Sequence, residues 1–525
     1  MIFKRKTDND YDEFKKLASG KVSKPKVSKK QNPILRKLTS PFRFIGRSKL
    51  IKGVTSTLGN KEILKKISVT VLVVLIYRVL ATIPLPGVDL RIFREVFGSA
   101  TASETSYLFT IFTGGRLDTP SIVGLGLAAY INASIIMQLL PYAISRLKEL
   151  QKEGERGRQI INQITRFITF PLSFIYSIAY LLLLSRQDLS QTITTLPAGS
   201  YLIPHAPGVD YPSAARIILM ALVLAAGTIF LMWLSEFITE KGLGNGSSVI
   251  ISVGILASLP TLLQQDLAAV NFQQVFADLL QGSVVALTNP FTLSLILILF
   301  GFVLVIAAIV FVNESQRKVP IQYARRIRGN EGGQGSFLPV KFTITGVMPV
   351  IFAFTLISVP QLLIPIIETS SGPTPFTESI KESFLYASAD QIVDSKDTVY
   401  AIVNFLLVIV FGIFYSFIVL NPKETSENLQ KSGAFIPGIR PGRSTERYIT
   451  NVILRIALVG SIFLAIIALI PIVGRNIVFQ STGNYLQILS GIGGTSILII
   501  VGVLLDTLRQ YQSLVATRSY EKYLR

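Results

Sequence analysis

Residues Gly124 to Arg166 read GLGLAAYINASIIMQLLPYAISRLKELQKEGERGRQIINQITR, and this stretch decides the fold class of the chain. An apolar span that contains glycine, asparagine, serine and glutamine runs directly into a segment dense in charges of both signs. Small residues let helix backbones approach closely in a bilayer, and polar side chains there need a protein or water partner. We therefore expect this span to face other helices or a pore.

The composition indicates a membrane protein without redox or metal chemistry. Half of the 525 residues are apolar, 16 % are charged, and the mean hydropathy is +0.52. There is no cysteine, and the single histidine, His205, lies in a proline-rich loop, which excludes cysteine or multi-histidine metal sites. No Walker A string occurs. We expect no cofactor, no metal ion and no enzymatic activity, so any ATP hydrolysis would belong to a partner.

About ten apolar runs are long enough to cross a bilayer as helices, since about 17–25 residues span the hydrocarbon. They lie near residues 67–83, 121–144, 167–184, 214–234, 247–263, 291–312, 342–367, 399–420, 452–473 and 486–508. If the first span begins inside, the sixth begins outside, which predicts two inverted halves. The predicted fold is an all-α integral membrane protein with five helices in residues 63–275 and five in residues 276–508.

Lysine and arginine concentrate in alternate loops. The basic segments are residues 1–62, the loop after the second span, the loops at 313–341 and 421–451, and the tail at 509–525. The positive-inside bias places both termini and these loops in the cytoplasm. Because topology explains most of the net charge of +20, we expect no direct DNA binding, whereas a ribosome contact through the same loops stays open.

The first 62 residues form a basic cytosolic extension that we predict to be partly disordered. From residue 33 to residue 64, apolar residues alternate with lysine and arginine. Such a segment either lies on anionic lipid as a helix or is a solvated linker, and the residues alone favour neither.

The ionisable residues of the spans distinguish a channel from a carrier. Arg78, Glu236, Arg455 and Asp506 all fall near span ends. Ion-coupled carriers usually need such groups at mid-depth, so a secondary transporter for a small solute is the weaker alternative. A membrane scaffold is a third possibility, but it leaves the polar spans unexplained. A pore closed by an apolar constriction fits both observations.

The segment before the second span, residues 106–121, reads SYLFTIFTGGRLDTPS. Its apolar half is too short to cross a bilayer, and Gly114 and Gly115 interrupt it. The residues by themselves favour a short external helix at the interface over a re-entrant segment that fills a funnel.

Several strings resemble signature segments of the SecY family, whose members form the channel of the bacterial Sec protein translocase, and they occur in the family's order. They are YRVLATIPLPGVD (77–89), the opening stretch above, TEKGLGNGSS (239–248), RKVPIQYARR (317–326), GGQGSFLPVKFTITGVMPVIFA (332–353), GAFIPGIRPGRST (433–445) and GGTSILIIVGVLLD (493–506). The resemblance covers nearly everything after residue 60. It implies a clamshell of two halves around an hourglass pore in the bacterial plasma membrane, through which unfolded, signal-bearing preproteins pass or leave laterally into the lipid.

The resemblance also assigns candidate site residues. The implied pore ring consists of six apolar side chains: Leu127, Ile131, Ile251, Met348, Leu356 and Ile499. The implied plug is residues 107–120, with Tyr107, Phe109, Phe112, Gly114 and Gly115. The lateral gate would be the seam of the second and third spans with the seventh and eighth, and its polar members would be Asn132, Ser134 and Gln138. Hydrogen bonds that merely pack helices are an equal alternative for these three residues.

The cytosolic loops carry the implied partner contacts. Arg440 lies between the pairs Pro437-Gly438 and Pro441-Gly442, which restrict the backbone, so its guanidinium can dock a carboxylate or a phosphate. The resemblance implies that Arg440, with Arg325 and Arg326 in the other loop, contacts the SecA motor and ribosomes. It further implies SecE and SecG as membrane partners, and signal peptides and preproteins as substrates.

Overall fold

A computed structural model describes residues 61–89, 121–185, 203, 213–269, 290–323, 336–344, 346–372, 374–375, 395–482 and 494–524. From Lys65 onward these residues belong to one compact unit. The helices in these ranges are α1 (Lys61–Leu80), α2 (Ala128–Ala143), α3 (Ser145–Lys152), α4 (Glu155–Ser185), α5 (Ala214–Lys241), α6 (Gly246–Ala269), α7 (Pro290–Glu314), α8 (Met348–Ser371), α9 (Ser395–Val419), α10 (Pro422–Lys431), α11 (Arg443–Thr482) and α12 (Gly494–Leu524). The strands are β1 (Gln316–Tyr323), β2 (Ser336–Lys341) and β3 (Ala434–Phe435).

Each predicted span overlaps one long helix, and the order is α1, α2, α4, α5, α6, α7, α8, α9, α11 and α12. Within the described residues, five helices are long and apolar enough to cross a membrane, or six if the bent pair α2 and α3 forms one span. Three shorter apolar helices lie at Gly246–Pro260, Ile298–Glu314 and Met348–Ile357. The structure is therefore a largely helical membrane protein, and the count of ten crossings stays a prediction.

The second span begins later than its sequence predicts. Residues 121–127 form turns, and α2 begins at Ala128. Gly126 has a φ of 58°, a left-handed conformation that side chains other than glycine rarely adopt. The Ile122 N–H donates to the Ile83 carbonyl at 3.1 Å, so this stretch pairs with the segment that follows α1. The left-handed Gly126 thus keeps the helix from beginning before Ala128.

Several helices continue beyond the apolar runs into the predicted cytosolic layer. α4 begins at Glu155 and α11 begins at Arg443, each about ten residues before the predicted span. Between α4 and α5, Arg166 forms a two-point ion pair with Glu236, with Nε–Oε1 at 2.9 Å and Nη2–Oε2 at 2.7 Å. The charged residues before these two apolar runs have high helix propensity, so the helices continue through them. Hydropathy therefore predicts the apolar part of each helix and not its ends.

A three-stranded sheet in the order β2-β1-β3 is an addition to the predicted all-α architecture. β1 pairs antiparallel with β2, and Tyr323 at its end pairs with Ala434 of β3. Alternate residues of β1, Val319 and Ile321, are buried, and Val319 packs in an apolar cluster with residues of α11 such as Ile453. The sheet therefore joins the loop at 313–341 to the loop at 421–451.

Two apolar clusters form the core of the helical bundle. The larger cluster contains residues of α4, α5, α8 and α12, and thus of both halves. The smaller cluster contains residues of α1, α2, α5 and α6. Ile131 of α2 and Ile251 of α6 pack against both clusters, so they lie where the two clusters meet.

The turn between α5 and α6 requires glycine, which gives a first prediction. The Gly246 N–H donates to Thr239 Oγ1 at 2.9 Å, and a Cβ at Gly246 would overlap the Ser235 carbonyl. Gly246→Ala should therefore lower the free energy of unfolding by about 1–3 kcal/mol through overpacking. Thermal unfolding in detergent measures this loss.

The matched control for that prediction is Gly301→Ala in α7, where a Cβ would meet nothing within 4 Å. Alanine at this helical position should be neutral or stabilise by up to about 1 kcal/mol. Equal melting temperatures for the two variants would contradict the close approach at Gly246.

Candidate functional site

Five of the six candidate ring residues lie in the apolar core. Leu127 is buried just before α2, Ile499 is buried in α12, and Ile131 and Ile251 are half-buried at the junction of the two clusters. Met348 is half-buried at the first position of α8 and packs against the larger cluster. These residues come from both predicted halves, and each belongs to or packs against an apolar cluster.

The sixth candidate, Leu356, has a different environment. Its side chain is 48 % exposed and lies outside both clusters. It follows Met348 by eight residues, so at 3.6 residues per turn its side chain points about 80° away from that of Met348. The resemblance gives both residues the same role, which stays a prediction, and the structure places them on different faces of α8.

The predicted polar members of the gate form two separate contacts. Asn132 is 7 % exposed, and its Nδ2 donates to the Tyr176 hydroxyl of α4 at 2.9 Å. Gln138 Nε2 donates to Ser134 Oγ at 3.1 Å within α2. Both hydrogen bonds lie inside the first half, as the alternative of helix packing predicts. Sequence reasoning did not single out Tyr176, which lies in α4 beside the buried Ser173 and Ser177.

The bond between Asn132 and Tyr176 gives a second prediction. Asn132→Ala leaves the Tyr176 hydroxyl without this partner, and Tyr176→Phe removes the same hydrogen bond from the other side. A double-mutant cycle on melting in detergent should give a coupling energy of about 0.5–2 kcal/mol. Ser134→Ala with Tyr176→Phe is the control pair and should be additive, whereas additive effects of the Asn132 and Tyr176 variants would contradict the contact.

Aromatic contacts lie beside and across one end of the predicted seam, and sequence reasoning did not predict them. Helix α8 contacts α2, α4 and α9. Phe352 of α8 meets Phe411 and Tyr415 of α9 edge-on, with ring centroids 6.1 and 5.4 Å apart. Tyr142 of α2 meets Phe414 of α9 with centroids 5.7 Å apart. The last pair therefore joins the first half to the second.

On another side of the bundle, α6 contacts α12, and the Gly244 N–H at the start of the α6 turn donates to Gln510 Oε1. Among the residues that the structure describes, the two halves therefore meet through α8 with α2 and α4, and through α6 with α12.

The turn around Arg440 projects from the end of β3. Gly438 and Gly442 have φ values of 80° and 101°, and the Arg440 carbonyl accepts a hydrogen bond from Thr445 Oγ1 at 2.9 Å. The Arg440 side chain is exposed. The backbone of this turn is thus fixed while its guanidinium is free to reach a partner.

Other predicted site residues lie outside the described ranges: Tyr107, Phe109, Phe112, Gly114, Gly115, Arg325 and Arg326. Among the residues that the structure describes, no three histidine, cysteine, aspartate or glutamate side chains form a group that could hold a metal ion.

The sequence model of the SecY family matches residues 121–508, well over half of the chain. This chain belongs to the SecY family. A curated relative, the protein translocase subunit SecY of Halalkalibacterium halodurans, is 36 % identical over 467 residues. That match covers 88 % of this chain and 97 % of the relative. The family that the sequence strings indicated is therefore confirmed.

Solved structures extend the likeness to the fold. A structure described as that of a protein conducting channel has a TM-score of 0.56, 19 % identity, and coverage of 86 % of this chain and 93 % of that one. Sec61 in a canine ribosome-channel complex from the endoplasmic reticulum has a TM-score of 0.52 and 18 % identity, with the same coverage of both chains. At these identities the likeness concerns the fold alone, and it confirms the predicted SecY-type architecture.

Proposed function

We propose that this chain is the central channel of a bacterial protein-export translocon. Unfolded preproteins with signal sequences pass between the two halves, and apolar segments leave through the seam of α2 and α4 with α8 and α9. The observation that carries the proposal is the SecY family match across both halves, together with the nearly full-length likeness to a protein translocase subunit. The chain performs no catalysis in this account, because a partner ATPase, the ribosome or the proton-motive force supplies the energy.

The proposed constriction is the ring of Leu127, Ile131, Ile251, Met348 and Ile499, with Leu356 as its least buried member. Its support is the position of Ile131 and Ile251 between the two apolar clusters. An apolar constriction stays dry and blocks ions, yet it admits an extended polypeptide when the halves separate. Residues 107–120 would cover this ring from outside as a plug in the idle state.

The cytosolic loops are the proposed docking surface for SecA and for ribosomes. Because Tyr323 pairs with Ala434, the strand that leads to Arg325 and Arg326 lies beside the strand that leads to Arg440. The sheet thereby gives the two loops a common base. A partner with carboxylates or phosphates can contact arginines of both loops at once.

An apolar groove of about 390 Å³ between α1, α6 and α12 is the proposed site of a SecE helix. Its lining includes Val71, Leu256 and Leu504, which are exposed, and the buried Ser252 hydroxyl, which has no hydrogen-bond partner in the described chain. A partner helix would bury the apolar side chains that the groove exposes.

Cross-linking tests the groove assignment. A thiol-reactive photo-cross-linker attached at Leu256→Cys should capture SecE in extracted complexes, whereas one at Phe311→Cys of α7, which is also exposed but lies outside the groove, should not. Equal capture at both positions would contradict the assignment.

SecG is proposed as a peripheral partner, and anionic lipids as partners of the basic N-terminal segment.

The proposed location is the plasma membrane, with both termini in the cytoplasm. The support is the alternation of basic and acidic loops in the sequence, since basic loops remain on the cytoplasmic side.

Reconstitution tests the function as a whole. Vesicles that contain this chain with SecE and SecG, supplied with SecA, ATP and a signal-bearing precursor, should protect the precursor from added protease. The same vesicles without the chain are the control. Small-solute uptake without precursor protection would instead support the alternative of a secondary transporter.

A further inference from the structure

The ring pair of Tyr142 and Phe414 is exposed, unlike the other aromatic contacts along the predicted seam. The two rings meet edge-on at an interplanar angle of 63°, and the side chains are 56 % and 37 % exposed. In contrast, Phe352, which contacts Phe411 and Tyr415, is buried within the second half. The exposed pair can therefore separate without opening the core of either half.

The pair also lies at the edge of the seam. Tyr142 is the penultimate residue of α2, and after the extended Ile144 the chain turns by 104° into α3. α3 is rich in charges, so Tyr142 lies where α2 leaves the apolar layer. Phe414 comes from the last two turns of α9, near the same end. The two rings therefore lie together at one end of the seam, where an apolar segment that enters there would meet them.

We propose that Tyr142 and Phe414 form a clasp that determines how apolar a signal sequence must be to open the seam. This inference rests on the proposed function. When the seam is closed, the rings hold α2 to α9 across the two halves. When a signal sequence enters, it replaces this ring contact with its own apolar side chains. A weakly apolar signal cannot compensate for the lost contact, so it is rejected.

The size of the effect follows from the contact itself. The edge-to-face interaction of two aromatic rings changes an equilibrium constant by about 2- to 10-fold, in addition to the effect of the apolar area that the rings bury. Tyr142→Leu and Phe414→Leu should each raise export of a precursor with a shortened apolar signal core by about this factor. Export of a precursor with a full-length signal core should change little, since that signal already opens the seam.

Three further variants separate a clasp from a general loss of stability. The double variant should export the weak precursor no faster than the better single variant, because one contact is lost in each case. Tyr142→Phe keeps the ring and should behave as the unmodified chain. Phe411→Leu removes a ring contact inside the second half, so it should lower the melting temperature without relaxing selectivity. Additive single effects, or equal relaxation by Phe411→Leu, would overturn the clasp.

A cross-link provides a second readout. The chain has no cysteine, so Tyr142→Cys with Phe414→Cys introduces its only two thiols. A short reagent that joins them should block export even of the full-signal precursor, whereas the treated single-cysteine variants should export normally. Normal export by the cross-linked chain would overturn the clasp while leaving the channel intact. Failure of the unmodified chain to export the full-signal precursor would instead refute the proposed function.

Discussion

Lysine in place of Ile131 is expected to raise export of a precursor without a functional signal sequence by about 10²-fold. A signal core of about ten apolar residues supplies roughly 3–6 kcal/mol on transfer to the membrane, which shifts a closed–open equilibrium by about 10²- to 10⁴-fold. A charge within the apolar layer costs about 2.5–3.5 kcal/mol. Because Ile131 lies between both apolar clusters, a lysine there destabilises the closed channel. The channel then needs much less free energy from a signal sequence in order to open.

The measurement is protease protection of a signal-less precursor in reconstituted vesicles, with Ile131→Leu as the matched control. Leucine keeps the constriction apolar, so this variant should still reject the precursor. Ile251→Lys should behave as Ile131→Lys, because both side chains lie at the same junction. Unchanged rejection by both lysine variants would count against the ring.

Alanine in place of Arg440 is expected to reduce SecA-driven export by about 10- to 100-fold. A hydrogen bond to a charged group contributes about 1.5–3 kcal/mol, and the loss of this guanidinium would remove at least one from the docked complex. The fold should be unaffected, since the Arg440 side chain is exposed and the turn is held by the Thr445 hydroxyl, which donates to the Arg440 carbonyl. Arg440→Lys should restore export only in part, because an ammonium group cannot pair with two oxygens in a fixed plane.

Arg443→Ala is the matched control for Arg440, because Arg443 is also exposed and lies three residues further along, at the start of α11. Its export rate should stay within about twofold of the unmodified chain, in line with the small effect of most surface substitutions. Equal losses for the two alanine variants would indicate a diffuse requirement for positive charge rather than a specific contact of Arg440.

The sequence predicted the positions of the long helices well, because long apolar runs report directly on segments that must bury their backbone groups in a bilayer. Each predicted span overlaps a long helix, and the predicted family and fold are confirmed. The start of α2 was placed too early because hydropathy does not detect the left-handed Gly126. The sheet was missed because its third strand, Ala434–Phe435, comes from a distant loop and has only two residues.

The candidate site was less predictable because its contacts join residues far apart in the chain. Asn132 was selected for its polarity, but its partner Tyr176 lies on another helix and has no sequence signal of its own. The same holds for Tyr142 and Phe414, whose approach depends on how α2 and α9 pack. For Leu356 the sequence offered a motif, but the motif does not report burial. The side chain lies on an exposed face of α8, outside the apolar core.

The central claim is that a polypeptide in transit passes between the two halves, beside the apolar side chains of Ile131 in α2 and Ile251 in α6. A photo-cross-linking residue at Ile131 or Ile251, in vesicles that hold a precursor stalled during export, tests this most directly. The account predicts strong adducts to the precursor at both positions and none at Phe311, which is 75 % exposed on α7. Adducts at Phe311 with none at Ile131 and Ile251 would contradict it.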